Sequence, residues 1–344
     1  MGKVAYSREA LLADDDFARP HAAAGYRLHG GFDAAGRYVS PRVRHRWPAV
    51  RAWQAQLASQ GLPLIDASQS LLRRGTYPNA GQQKLLLAGG FGRTLWDALT
   101  VTGVIEARGR ALCEFPAPDW QDAVVDDISG TCTGHLHKGL LYAHGMDEGG
   151  DPDNEAVGAH DAMWFAARDL VFGKDAWPVP EIPESISRPD EGPPFAMLPP
   201  QFGGLLSLLM NVLMIEVRAE AFFAFCCEVF RDPDNFPGKR AQAEGAAVMV
   251  ERIREDEAIH VAYLQTAVSE MRGFTFHTVD GGTVRGADIV DPEWERMVVW
   301  HGETQFDLAR ARTHEALVRE LQSTPEGRAI LPGFEALDDR KEAA

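Results

Sequence analysis

Residues 201–230, QFGGLLSLLMNVLMIEVRAEAFFAFCCEVF, are apolar on nearly every side of a helix and contain no proline. A helix that is apolar all round has to be buried, in a protein core or in a bilayer. The run is long enough for either, since about 20 residues cross a membrane. Asn211, Glu216, Arg218 and Glu220 decide between them, because charges near the middle of a span cost several kcal/mol in hydrocarbon. A core helix of a large helical fold is therefore expected. Inside it, Glu216 shares a face with Leu209, Val212, Leu213, Ala219 and Phe223, where an ionised carboxylate needs a partner. Arg218 lies about 200° around the helix and cannot easily serve it, so ligation of a metal explains Glu216 better than an ion pair.

The rest of the chain supplies the company such a helix needs. The corner Asp232-Pro233 to Pro237-Gly238 ends it, and a charged helix over 239–272 returns alongside. Upstream, apolar positions at Leu85, Leu95, Leu99, Val101 and Ile105 predict a helix over 80–114. After a corner at Pro116 and Pro118, Val124, Ile128, Leu136 and Leu140 predict another over 119–145, weakened by Gly130, Gly134 and Gly139. A shorter helix fits 155–172 and stops at Gly173. The proline-rich stretch 174–200 reads as a stiff crossover between two helix pairs. Residues 273–290 read as a β-hairpin turning at Asp280-Gly281-Gly282, and Pro292 as the first residue of a last helix reaching about 323. The expectation is an all-α fold in three parts. These are an irregular N-terminal extension (1–78) with a short helix over 48–60, a helical domain (79–324) and a C-terminal tail (325–344).

Charge narrows the function. With 34 basic and 50 acidic side chains the net charge is −16, which disfavours nucleic acid and anionic membrane surfaces as partners. Four cysteines, two of them adjacent in an apolar run, form no disulfide framework, and the N-terminus has no apolar signal core, so a cytoplasmic location is expected. Walker A loops, Gly-x-Ser-x-Gly elbows and paired Cys-x-x-Cys motifs are absent, and the glycine-rich GGFGRT at 89–94 is expected inside a helix.

Chemistry concentrates on the helices. Glu257-Ala-Ile-His260 places a carboxylate and an imidazole one turn apart on one face, within reach of one metal. Val104-Ile105-Glu106-Ala107-Arg108 echoes Met214-Ile215-Glu216-Val217-Arg218 and nominates Glu106 as the counterpart of Glu216, with Glu220 as a rival for the latter. Counting outward from the proline corners places the partners of Glu106 near 129 and 132, where Asp127 and His135 are the nearest ligand types. Val157-Gly-Ala-His160 is a competing frame, since His160 and His260 each precede a glycine by 13 residues. The tight corner favours His135, leaving His160 as an outer or structural residue. His137, His144, Asp147 and Glu148 read as exposed polar residues at a helix end, as do His301 and Glu303; Trp164, Phe165 and Tyr263 read as core aromatics.

Two long helix pairs, the crossover, Glu106, Glu216 and Glu257-x-x-His260 together resemble the ferritin-like di-iron carboxylate superfamily over residues 80–272. The resemblance implies a ferritin-like four-helix bundle with extra helices, carrying two iron ions or a manganese–iron pair. Glu106, Glu216 and Glu257 would be carboxylate ligands and His260 and His135 nitrogen ligands, with Asp256 orienting a histidine. Dioxygen would be co-substrate in the oxidation of a small molecule, with room for an external electron donor and a homodimer. An iron-storage protein, or a helical scaffold with structural Glu and His, are the alternatives. The chain departs from the pattern in one respect: the first helix pair lacks a Glu-x-x-His, which leaves one carboxylate of the usual six-residue set unassigned and a mononuclear or asymmetric site open.

Overall fold

A computed structural model describes residues 4–189, 192–193 and 195–338. Among these the chain is mostly helical, with 62% helix and 5% strand. Among the described residues the strands form three two-stranded antiparallel ribbons and no larger sheet. Two ribbons lie near the N-terminus: β1 (His21–Ala23) with β2 (Tyr26–Leu28), and β3 (Gly31–Phe32) with β4 (Tyr38–Val39). The helices follow as α1 (Val43–Ser59), α2 (Ala80–Ala88), α3 (Arg93–Gly109), α4 (Leu141–Gly149), α5 (His160–Phe172), α6 (Pro200–Arg231) and α7 (Arg240–Gly273). The third ribbon, β5 (Thr275–His277) and β6 (Thr283–Arg285), leads into α8 (Gly286–Val299), α9 (Gln305–Ser323) and α10 (Pro325–Ala336).

The apolar run forms α6, packed lengthwise on α7; α7 packs on α5, and α5 on α3. By length and composition α6 is long and apolar enough to cross a membrane, and 67% of its most apolar window is buried inside the fold. Two apolar cores result. One gathers Leu205, Leu209 and Leu213 of α6 with Leu264, Ala267 and Met271 of α7. The other gathers Phe223, Cys226 and Phe230 of α6 with Ala243, Val250 and Ile253 of α7, plus Leu95, Leu99 and Met163. Both long helices thus pass from one core to the other, α6 between residues 214 and 223 and α7 between 253 and 263. Glu216, Glu257 and His260 lie in that gap, a polar layer sealed by apolar packing at each end.

Several expected elements are corrected. The helix over 80–114 is broken at Gly89-Gly90, where Gly90 takes φ +82°, so residues 89–92 of GGFGRT form a turn and Arg93 opens α3. The helix over 119–145 does not form. Residues 120–140 are turns and short irregular helix around Gly139, which takes φ +134°, and regular helix starts only at Leu141. The hairpin ends at Arg285, and Pro292 lies inside α8 instead of opening a helix. Within the C-terminal segment, residues 325–336 form α10, whose Phe334 packs with Leu86, Leu317 and Leu321.

Candidate metal centre

Four helices and the N-terminus of a fifth bring acidic and imidazole groups into the polar layer: Glu106 (α3), His144 and Glu148 (α4), His160 (α5), Glu216 (α6), Glu257 and His260 (α7). All seven are buried. The approach of α4 to α3 depends on glycine. A Cβ on Gly109 would lie 2.6 Å from Cβ and Cγ of Glu148, and one on Gly145 would lie 2.8 Å from Cys113 Sγ. Without those bare faces Glu148 could not sit beside Glu106.

The seven residues form two overlapping groups. His144, Glu148, Glu216 and His260 each offer a ligand atom within 4.8 Å of the other three, and so do Glu106, Glu148, His160 and Glu257. Glu148 belongs to both groups. Its Oε1 lies 3.4 Å from His144 Nε2, 3.2 Å from His260 Nδ1 and 3.6 Å from His160 Nδ1. His144 Nε2 is 3.2 Å from Glu216 Oε1, and His160 Nδ1 is 3.5 Å from Glu106 Oε2 and 2.9 Å from Glu257 Oε1. On α7, His260 Nδ1 meets Glu257 Oε2 at 2.7 Å, as the three-residue spacing dictates. The rings of His144 and His260 stack, with centroids 3.8 Å apart.

Each imidazole turns one nitrogen to the carboxylates and anchors the other. His260 Nε2 donates to Asp147 Oδ2 at 3.1 Å, His160 Nε2 donates to Asp256 Oδ2 at 3.2 Å, and His144 Nδ1 meets the Tyr263 hydroxyl at 2.7 Å. Fixing the far nitrogen sets the ring plane and the tautomer, and this is how histidine ligands are held toward a metal. The near side is under-satisfied. Glu106 Oε2, Glu148 Oε1, Glu257 Oε1 and His160 Nδ1 are buried and reach no partner in hydrogen-bond geometry. Buried polar atoms without partners are costly, and four facing one another mark a place for a cation.

Charge leads to the same conclusion. Four carboxylates this close cannot all be ionised without compensating positive charge. Burial, with Glu257 adding, pushes Glu216 up to about 8; burial, with Glu148 adding, pushes Glu106 well above the carboxylate range. Burial opposes charge on the histidines, yet the surrounding acids win: His260 rises to about 10, and His144 and His160 also rise well above the imidazole range. Protons or cations can balance the layer. Two divalent ions would match the charge of four carboxylates, leaving the imidazoles neutral and free to ligate. The buried acidic and imidazole groups could therefore hold metal.

Of the residues expected from sequence, Glu106, Glu216, Glu257 and His260 converge here, and His160 joins them at the centre. His135 does not. It lies outside both groups, against Trp53 with ring centroids 4.8 Å apart, its Nε2 accepting from Tyr6 N–H and its Nδ1 donating to Thr131 O. Asp127 sits in the exposed loop before it and bonds Ser129. Glu220 is half-exposed and paired with Arg254. Because 119–145 is not one helix, counting outward from the corner does not reach the centre. The reading of His144, Asp147 and Glu148 as exposed is overturned by their burial. Their signal was the pair His144-x-x-x-Glu148, one turn apart beside the apolar Leu140 and Leu141. His301 is also buried, but lies elsewhere, between Asn211 and Arg218.

No protein-family model, curated protein or solved structure matches this chain.

Proposed function

We propose that the chain is a ferritin-like carboxylate metalloprotein, a non-haem di-iron or manganese–iron oxidase or oxygenase that uses dioxygen on a small-molecule substrate. The observation that carries the reading is Glu148, whose side chain belongs to both groups of Glu and His. Mixed carboxylate and imidazole donors suit iron and manganese, and thiolate, the mark of a zinc or iron–sulfur site, is absent from both groups. Glu106, His160 and Glu257 would hold one ion and Glu216, His144 and His260 the other, with Glu148 between them and Glu257 close to both. The missing Glu-x-x-His of the first half then has its counterpart in Glu148 and His160, carried on consecutive helices instead of one.

Bound ferrous ions would supply electrons for the reduction of dioxygen, as in metal oxidases generally. The protein's own part is to keep the site dry and shaped. The two apolar cores exclude water, Asp147 and Asp256 hold two imidazoles in place, and Tyr263 offers a hydroxyl to a third. The four free thiols and the buried α6 support a cytoplasmic location. An external electron donor would return the site to its reduced state between turnovers.

Anaerobic loading with iron(II) and manganese(II), metal analysis and exposure to oxygen test the proposal. About two ions per chain and an oxygen-dependent absorption band are expected. Many ions per chain would favour storage. No uptake, with Glu257→Ala indistinguishable from wild type, would leave only a structural Glu and His network.

A further inference from the structure

The two carboxylates that anchor His160 and His260 are themselves held by one short stretch of the N-terminal region. Asp256 Oδ2 accepts from His160 Nε2, from His29 Nε2 at 3.2 Å and from the Tyr38 hydroxyl at 3.1 Å. Asp147 accepts from His260 Nε2 on Oδ2 and from Arg42 Nη2 on Oδ1, and its Oδ2 is ion-paired with Arg46 Nη2 at 2.8 Å. Thus His29, Tyr38, Arg42 and Arg46, spread over 18 residues that end in the first turn of α1, reach both groups of the centre. The backbone joins in: His29 N–H donates to Gly158 O, and Gly158 N–H to Arg27 O, two residues before His160.

Two local features show that the stretch is shaped for this contact. Gly30 takes φ +68°, and a Cβ there would lie 2.4 Å from the Tyr38 hydroxyl, so only glycine lets that ring lie flat enough to reach Asp256. Arg42 takes φ +55°, a left-handed conformation unfavourable for a side chain of its kind, while its guanidinium pairs with Asp147 and its N–H donates to Asp14.

We propose that residues 29–46 are a clamp for the metal centre, in which His29 and Tyr38 position His160 through Asp256, and Arg42 and Arg46 position His260 through Asp147. The proposal rests on the metal reading above and extends it. None of the four belongs to the two groups that would hold the ions; they are positioning residues, and each arm of the clamp serves a different ion. A purely structural role would make substitutions lower the stability of the protein whether or not metal is present. A positioning role lowers metal affinity, and makes metal binding and ordering of residues 29–46 reciprocal.

The test is titration of the full chain with cobalt(II), read by its visible absorption, alongside hydrogen exchange over residues 29–46. Tyr38→Phe removes one hydroxyl and Gly30→Ala displaces the same ring; Arg42→Met removes the opposite arm. Loss of outer partners of metal ligands typically costs about 10- to 100-fold in affinity. Tyr38→Phe and Gly30→Ala are expected to weaken one of two cobalt(II) ions by about that factor, and Arg42→Met the other. Metal-free melting of Tyr38→Phe should stay near wild type, and cobalt(II) should slow exchange in residues 29–46 of wild type more than of Tyr38→Phe. If wild type binds cobalt(II) and the variants bind it equally well, the clamp is refuted while the metal centre stands. If wild type binds none, the metal reading fails and the clamp with it.

Discussion

Replacing Glu106 by glutamine separates a metal ligand from a member of a structural ion-pair network. Glu106 is buried, its Oε2 has no hydrogen-bond partner, and burial together with Glu148 raises its carboxyl well above the usual range. Both effects favour its protonated form in the metal-free protein, so the isosteric amide should change stability by no more than about 1 kcal/mol, the net worth of one hydrogen bond. A chain of 344 residues unfolds with an entropy of about 0.7 kcal/mol/K at about 2.1 cal/mol/K per residue, so the melting temperature should move by less than about 2 °C. Metal changes the comparison. At an ion concentration one hundred times Kd, binding stabilises by about 2.7 kcal/mol, or about 4 °C. Losing a direct ligand should cost at least about 100-fold, the upper end of what outer partners cost, which leaves about 0.4 kcal/mol, or about 0.6 °C, from the ion beside Glu106, while the other ion's share of about 4 °C is kept. The assay is a pair of melting curves for each protein, with and without manganese(II) at the same free concentration. If Glu106 were instead ionised and paired with His160, breaking that buried pair would lower the metal-free melting temperature by about 4–7 °C, from about 3–5 kcal/mol. That drop, with a wild-type rise on adding metal, would refute the reasoning.

Three further outcomes are expected. Glu148→Ala should abolish binding of both ions, where Glu106→Gln weakens one; metal analysis after desalting distinguishes them, and retention of one full equivalent would contradict a shared carboxylate. His135→Ala should leave metal content unchanged while costing about 2–4 kcal/mol in denaturant unfolding, since it loses the Trp53 contact and two hydrogen bonds. His301 should make the protein acid-sensitive. Burial first, then Arg218 and Arg188, depress it to about 3, so its neutral form contributes stability that is complete above the unfolded value near 6.5 and is lost as pH falls toward 3. The loss is up to about 1.4 kcal/mol per pH unit, and His301→Gln, which cannot titrate, should flatten that part of the stability profile.

What could be read from the sequence follows from where helical periodicity is uninterrupted. α6 and α7 lie within a residue or two of the predicted 201–231 and 239–272, because each is a long run with one clear pattern closed by a proline–glycine corner. On such helices the spacing fixes which side chains share a face, so Glu216, Glu257 and His260 were identifiable together, and the echo around Glu106 extended the pattern to α3. In the first half no single period runs from corner to corner. Glycines at 130, 134 and 139 release the backbone, and Glu148 and His160 belong to two helices joined by the loop 150–159. Residue spacing across such a loop carries no facing information, which is why His135 occupied the expected frame while Glu148 and His160 reach the centre.

The same limitation concealed the part played by the N-terminal region. By composition residues 1–78 look like an irregular extension with one short helix. Yet a polar layer inside two apolar cores imposes a requirement that α3 to α7 do not meet alone. Asp147 and Asp256 have no exposed surface, and an anion in such a place needs donors close by. Apart from the histidines they orient, the donors they find are His29, Tyr38, Arg42 and Arg46. Arg46 is itself wholly buried and donates to the carbonyls of Arg42 and Pro41, so the stretch that neutralises Asp147 is also tied to itself. Burying the centre therefore requires a second chain segment to close over it, and residues that read as an appendage become part of the same electrostatic unit as the helices beneath them.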